Sequence, residues 1–194
     1  MVGALILAAG ESRRMGSPKP LLPFGNSTFL GHLLEQFLAS RARPVVVVLG
    51  HEADAVLAQV PLGEARAVVN PDYRQGMLSS IRAGLRELQS KSVSGALICP
   101  VDHPQVSAAL VDLLIDRFEE TEAPIVIPVH HGRRGHPVLF SQALFAEIED
   151  APDKVGARQV VWNHATEVLE IPTEDRGIIE DIDTPEQYKD LMGS

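Results

Sequence analysis

Apolar residues in this chain fall into short unbroken runs and longer stretches with helical spacing, and the two kinds alternate. Val2 to Ala8 is a short apolar run with the length and flanks of a strand buried on both faces. Pro44 to Leu49, with four consecutive valines, reads the same way, as do Ala65 to Val69, Ala96 to Cys99, Pro124 to Val129 and Thr166 to Ile171. Val138 to Phe140 and Ile178 to Ile182 are shorter extended pieces. Between the runs the spacing predicts helices. Ser27 or Thr28 caps one running to about Ala39, with Phe29, Leu30, Leu33, Leu34 and Phe37 on one side. Others are expected at Ala53 to Gln59, Met77 to Leu88, Ser107 to Phe118, Ser141 to Glu149 and Val155 to His164. Thr184-Pro185-Glu186-Gln187 is a capping box with proline at the first helical position, so a last helix starts there. The alternation predicts an α/β fold, a mostly parallel sheet with helices on both faces, whose ligands bind outside the carboxyl ends of the strands.

Composition adds limits. With 45% hydrophobic and 22% charged residues, the 194 residues suffice for a sizeable core in one domain, 1–194. A net charge of −9 argues against non-specific nucleic-acid binding. Cys99, the only cysteine, rules out an internal disulfide and fits a reducing compartment. The N-terminal run lacks a basic leader and is too short to cross a membrane. A cytoplasmic protein is expected, with neither nucleic acid nor membrane as partner.

Against that acidic balance, Arg13, Arg14 and Lys19 lie together in the glycine-bearing loop after the first strand. Gly10 lets backbone N–H groups approach an anion, and the three cations add fixed positive charge, so the loop reads as a polyphosphate cradle. Lys19 is expected to be a flexible loop cation that contributes little to core packing. The spacing of Gly10, Gly16 and Lys19 fits neither a Walker loop nor the dinucleotide fingerprint. Two further polar groups fall at carboxyl ends of predicted strands: Asn70 to Ser80, and Asp102 with His103. Asp102 is placed to offer a carboxylate to a hard cation such as Mg²⁺, with an Asx-turn before Pro104 as the plainer alternative.

The stretch Leu7-Ala8-Ala9-Gly10-Glu11-Ser12-Arg13-Arg14-Met15-Gly16-Ser17-Pro18-Lys19 resembles the nucleotidyltransferase signature, in the form carried by the molybdenum cofactor cytidylyltransferase family. The resemblance continues in family order to Tyr188. It implies a Rossmann-like fold of the nucleotide-diphospho-sugar transferase type. Leu7, Ala8, Ala9, Gly10 and Arg14 would bind nucleotide, with Lys19 and Arg13 neutralising the triphosphate. Asn70 to Ser80 matches the N-x-x-x-x-x-G-M-x-x-S block, so Gly76, Ser79 and Ser80 would contact base or ribose. Asp102 stands where the family has its metal aspartate, although His103 replaces the usual glutamine. Asp181-Ile182-Asp183-Thr184-Pro185 resembles the D-x-D-T-P segment. Strand spacing would point Asp181 and Asp183 the same way, with Asp183 the better second ligand for Mg²⁺; a helix-flanking acid is the alternative. Gly135-His136-Pro137 and Gly156-Ala157-Arg158 imply that His136 and Arg158 face the acceptor.

His130, His131, Arg133 and Arg134 read as a solvated loop rather than a zinc site, because neither a cysteine nor a neighbouring carboxylate accompanies them. Trp162 is expected to pack. The implied reaction joins CMP from CTP to the phosphate of molybdopterin cofactor with Mg²⁺, releasing pyrophosphate, and implies a molybdenum hydroxylase as client. The alternatives are a guanylyl or sugar-phosphate transferase of the same superfamily, or a non-catalytic carrier of the cofactor. Ala9, where guanylyl relatives usually have glycine, favours a pyrimidine by narrowing the floor beneath the base.

Overall fold

The computed structural model describes residues 1–193. β1 (Val2–Ala8) leads through a long loop to a minimal hairpin, β2 (Pro23–Phe24) and β3 (Ser27–Thr28), then α1 (Phe29–Ala39). β4 (Val45–Leu49), α2 (Ala53–Gln59), β5 (Arg66–Val69), α3 (Met77–Gln89), β6 (Gly95–Pro100) and α4 (Ala108–Thr121) follow. β7 (Ile125–His130), β8 (Arg133–Arg134) and β9 (Val138–Ser141) precede α5 (Phe145–Asp150), α6 (Arg158–Asn163), β10 (Val168–Pro172) and α7 (Pro185–Gly193).

The main sheet runs β10-β7-β9-β6-β1-β4-β5, with β8 hanging on β7. β1 pairs in parallel with β4 and β6, β4 with β5, and β7 with β10. β9 runs antiparallel between β6 and β7. The expected α/β architecture is therefore present, with β9 reversed near its middle and the two-residue β8 reversed beside β7.

All seven residues of β1 are buried, which follows from helices covering both faces. Val2, Ala4, Ile6 and Ala8 join one apolar cluster with Phe29, Leu33, Leu110 and Leu114, under α1 and α4. Leu5 and Leu7 join the other with Ile81, Leu85, Phe145 and Ile148, under α3 and α5. Caps set the helix starts: Thr28 Oγ1 accepts from Gly31 N–H at 3.0 Å, and Ser107 Oγ from Leu110 N–H at 3.3 Å. Such caps contribute about 1 kcal/mol each.

Three expectations fail locally. The helix expected from Val155 starts only at Arg158, because Gly156 turns the chain with φ +76°. Ile178 to Ile182 is not a strand: Arg176–Ile179 forms a 3-10 turn, and Ile178 and Ile182 are buried in the cluster under α1 and α4 at 0% and 4% exposure. Trp162 does not pack and is 56% exposed. Among the described residues no helix is long and apolar enough to cross a membrane.

Candidate nucleotide site at the carboxyl edge

The loop after β1 is folded around Ser12. Ser12 and Gly16 take left-handed φ values of 51° and 72°, and the Ser12 carbonyl accepts from the N–H groups of Met15 and Gly16 at 3.0 and 3.1 Å. Ser12 Oγ accepts from Lys19 N–H at 3.0 Å, and buried Met15 pins the turn to the core. Lys19 thus begins a 3-10 turn (Lys19–Leu21) with only 9% of its surface exposed. That corrects the expectation of a flexible loop cation.

Lys19 Nζ donates to Asp102 Oδ2 at 3.0 Å and to Asp183 Oδ1, while the Arg14 guanidinium donates to Asp183 Oδ2. The two carboxylates come from segments stitched to one another. Ile182 N–H donates to the Asp102 carbonyl at 2.9 Å. The capping box fixes the next residues: Gln187 Oε1 accepts from Asp183 and Thr184 N–H at 2.8 and 2.9 Å, and Thr184 Oγ1 accepts from Gln187 N–H at 3.3 Å. Partial burial works to raise the pKa of Asp183, but the hydrogen bonds and charges of Lys19 and Arg14 outweigh it and hold the carboxyl below its ordinary value. Asp181 is exposed and does not share the site, because the segment expected to be a strand is not one.

These groups wall a cleft of about 510 Å³, within the range of small-molecule sites. Leu7, Ala8, Ala9 and Gly10 form its floor; Arg13, Arg14 and Lys19 line it from the loop. A side-chain carbon at Gly10 would meet nothing within 4 Å, so it would project into open space rather than protein. Asp102 and Asp183 close one side, and Gly76 and Ser80 the opposite one. Buried Asn70 organises that opposite wall. Its Nδ2 donates to Ser79 Oγ at 2.9 Å and Ser80 Oγ at 3.1 Å, and its Oδ1 accepts from Asp72 N–H at 3.0 Å. Ser80 lines the cleft. Ser79 does not: its hydroxyl donates within the turn, to the Asp72 and Gly76 carbonyls.

Sequence reasoning missed three residues at the mouth. Glu11 accepts from Arg13 Nε and from Arg74 Nε, the latter at 3.0 Å, and the Arg74 guanidinium lies 5.4 Å from the Tyr73 ring centroid. The bonds from Arg13 and then Arg74 hold the Glu11 carboxyl below its ordinary pKa. Glu11 sits inside the signature and Tyr73-Arg74 inside the Asn70 block, so position was the available signal.

The residues expected on the acceptor side lie apart from the residues lining the cleft. His136 packs its ring 4.9 Å from that of His103, and its Nδ1 is sealed from solvent without a hydrogen-bond partner among the described residues. Burial first, then the His103 charge, pushes its pKa down to about 4; exposed Arg158 on α6 acts in the same direction. His103 is buried between His136 and the cleft, its Nδ1 3.4 Å from the Gly177 carbonyl and its Nε2 3.9 Å from Asp102 Oδ1. It backs the carboxylate. Cys99, also buried, has its thiol pKa raised by burial and then by Asp102, and is not poised to react.

The donor set around Lys19 Nζ is oxygen only, two carboxylates converging on one cation position, which fits a hard divalent ion beside phosphate oxygens. A parallel sheet, a cationic glycine loop at its carboxyl edge and convergent carboxylates form the arrangement expected of a nucleotidyltransferase. Comparison of sequences gives the same class. The chain belongs to the MobA-like NTP transferase domain family, which it matches over residues 4–168. It is 32% identical to nicotine blue oxidoreductase of Paenarthrobacter nicotinovorans, over 98% of this chain and 96% of that one. It is 27% identical to molybdenum cofactor cytidylyltransferase of Escherichia coli K12, over 96% and 93%. A probable molybdenum cofactor guanylyltransferase of Mycobacterium marinum is 32% identical over 82% and 77%. The fold matches that of Rv0371c from Mycobacterium tuberculosis H37Rv, solved in complex with manganese, at a TM-score of 0.85 and 28% identity, covering 100% and 98% of the two chains.

Proposed function

We propose that this chain transfers CMP from CTP to the phosphate of molybdopterin cofactor. The observation that carries the reading is the position of Lys19, held between Asp102 and Asp183 at the wall of a cleft floored by Leu7 to Gly10. Arg13 and Arg14 rim the same cleft, so a triphosphate entering it exchanges protein carboxylates for its own oxygens around these cations. Asp102 and Asp183 would hold Mg²⁺, which when bound neutralises charge on the phosphate oxygens. An oxygen of the acceptor phosphate attacks the α-phosphorus in line; the new P–O bond forms as the bond to the β-phosphate breaks, and its electron pair leaves with pyrophosphate. The acceptor phosphate is ionised near neutral pH, so no general base is needed and positioning with charge neutralisation supplies the catalysis.

Ala9 supports the pyrimidine. It is buried at 5% exposure and lines the cleft floor. On this reading the whole chain serves as one transferase domain, His136 and Arg158 lie on the acceptor side, and a molybdenum hydroxylase receives the product; buried Cys99 suits the cytoplasm. Relatives named for guanylyl transfer motivate a second reading with GTP as donor. Pyrophosphate release with each of the four nucleoside triphosphates, molybdopterin cofactor and Mg²⁺ separates the two. CTP is expected to be preferred. A preference for GTP installs the second reading, and release from none removes the transferase assignment in favour of a carrier.

A further inference from the structure

A second cation position lies away from the cleft, and no part of the nucleotide reading uses it. β7 ends in His130, and the chain turns through His131 and Gly132, with φ of 47° and 75°, into β8. The turn folds the two imidazoles against one another, ring centroids 4.2 Å apart. β10 runs parallel to β7, Pro172 opposite Val129, and Thr173 N–H donates to the Val129 carbonyl at 2.9 Å. That register delivers Glu174 beside the histidines. One ligand atom from each of His130, His131 and Glu174 lies within 4.8 Å of the others. His131 to Arg134 are exposed, as expected of a solvated loop, but the carboxylate absent from the neighbourhood in sequence is supplied by the segment leaving β10.

We propose that His130, His131 and Glu174 bind a divalent ion of the zinc class. Imidazole nitrogen with one carboxylate suits a borderline ion, whereas the oxygen-only pair of Asp102 and Asp183 suits a hard one. Orientation is already set at the buried ligand: His130 Nδ1 lies 3.0 Å from the Thr173 carbonyl, so it donates there and leaves Nε2 with its lone pair. An outer acceptor on the second nitrogen is the usual support of a metal-bound histidine. His131 and Glu174 are exposed, and among the described residues Glu174 has no hydrogen-bond or ion-pair partner to give up. Tetrahedral ligands at ordinary zinc distances stand about 3.4 Å apart, so from separations of no more than 4.8 Å the exposed side chains close by at most about 1.4 Å on binding. Nearby Arg134 is paired to Glu170 rather than to Glu174. Three protein ligands leave a fourth position to water, and the ion ties the β7–β8 turn to the segment leaving β10.

The test uses the untagged full chain with zinc alone, competed against a chromophoric chelator, and with thermal melting as a second readout. One zinc per chain is expected, with a rise in melting temperature as zinc is added. His131→Ala and Glu174→Gln change exposed side chains and should fold, and each should weaken zinc by more than about tenfold, the least that even outer partners contribute. Asp183→Asn should bind zinc as the parent does, and excess Mg²⁺ should not displace it. The proposal is overturned if the parent binds no zinc, or if both variants bind it unchanged. It is equally overturned if Asp183→Asn alone loses it, since the ion would then sit in the nucleotide cleft.

Discussion

The two ends of the sheet's carboxyl edge solve opposite problems. At the β1–β6 end, cations and carboxylates are already matched: Lys19 with Asp102 and Asp183, Arg14 with Asp183, Arg13 and Arg74 with Glu11. At the β7–β9 end the ion pairs, such as Arg134 with Glu170, stay at the surface, while the group turned inward is an imidazole, His136, whose Nδ1 has no hydrogen-bond partner among the described residues. The difference is one of what each end is kept ready for. A site that takes a highly charged ligand can hold its cations in place with internal carboxylates until the ligand replaces them. An imidazole turned inward with no carboxylate bonded to it shows its burial as a depressed pKa instead.

If the contrast is sound, removing charge at the first end should cost most. Asp102→Asn keeps the shape of the side chain and should lower turnover about 10²–10³-fold, in the range for losing one preorganised charge-stabilising group. Pyrophosphate release against Mg²⁺ concentration, with melting as a folding control, checks it; parental turnover and an unmoved Mg²⁺ midpoint would take Asp102 out of the site. Lys19→Ala should both impair turnover and destabilise the fold by about 1–3 kcal/mol, because two part-buried carboxylates lose their shared cation. Urea unfolding measures that, and an unchanged midpoint would mean the ion pairs are no more than surface contacts.

At the other end the sign of the pH effect is fixed by His136. Its folded pKa of about 4 lies below the ordinary histidine value of 6.5, so between those values the unfolded chain binds a proton that the folded chain does not. Its contribution is whole above about pH 6.5 and is lost as pH falls towards 4. Part of the residue is exposed, so the loss should be about 1–2 kcal/mol. Urea titrations at pH 7 and pH 5 on the parent and on His136→Asn should show a smaller drop in the variant; parallel drops would assign the acid sensitivity elsewhere. The smallest effect is expected from Ala9→Gly, where loss of one methyl should relax CTP-over-GTP discrimination by about 1 kcal/mol without reversing it. Competing the two nucleotides in one reaction reads this directly, and an unaltered ratio would move base selection to the Gly76–Ser80 wall.

How much of each end could be read from the sequence follows the same division. The cationic loop is contiguous, so Gly10, Arg13, Arg14 and Lys19 announced themselves together, and buried runs such as Val45–Leu49 announced the parallel core. Direction was not legible in Val138–Ser141, since a short apolar run carries no sign of which way it runs, and it became the one antiparallel strand between β6 and β7. Spacing misled at Ile178 and Ile182. Their apolar side chains look like strand alternation, but the backbone makes a 3-10 turn at Ile178 and the Ile182 N–H donates to the Asp102 carbonyl. Ser79 shows the same limit, because a hydroxyl in a first helical turn reads alike whether it faces a ligand or its own backbone. Glu174 could not be assigned to the histidines because only the β7–β10 register brings them together.

The central claim is that the cleft at the β1–β6 end moves a nucleotidyl group onto a phosphate acceptor. Incubating the chain with CTP labelled at the α-phosphate, Mg²⁺ and molybdopterin cofactor tests it most directly. The account predicts label in a product joining CMP to the cofactor, one pyrophosphate formed for each, and neither with Asp102→Asn. Label that stays in CTP, or that reaches product equally well with Asp102→Asn, would contradict it.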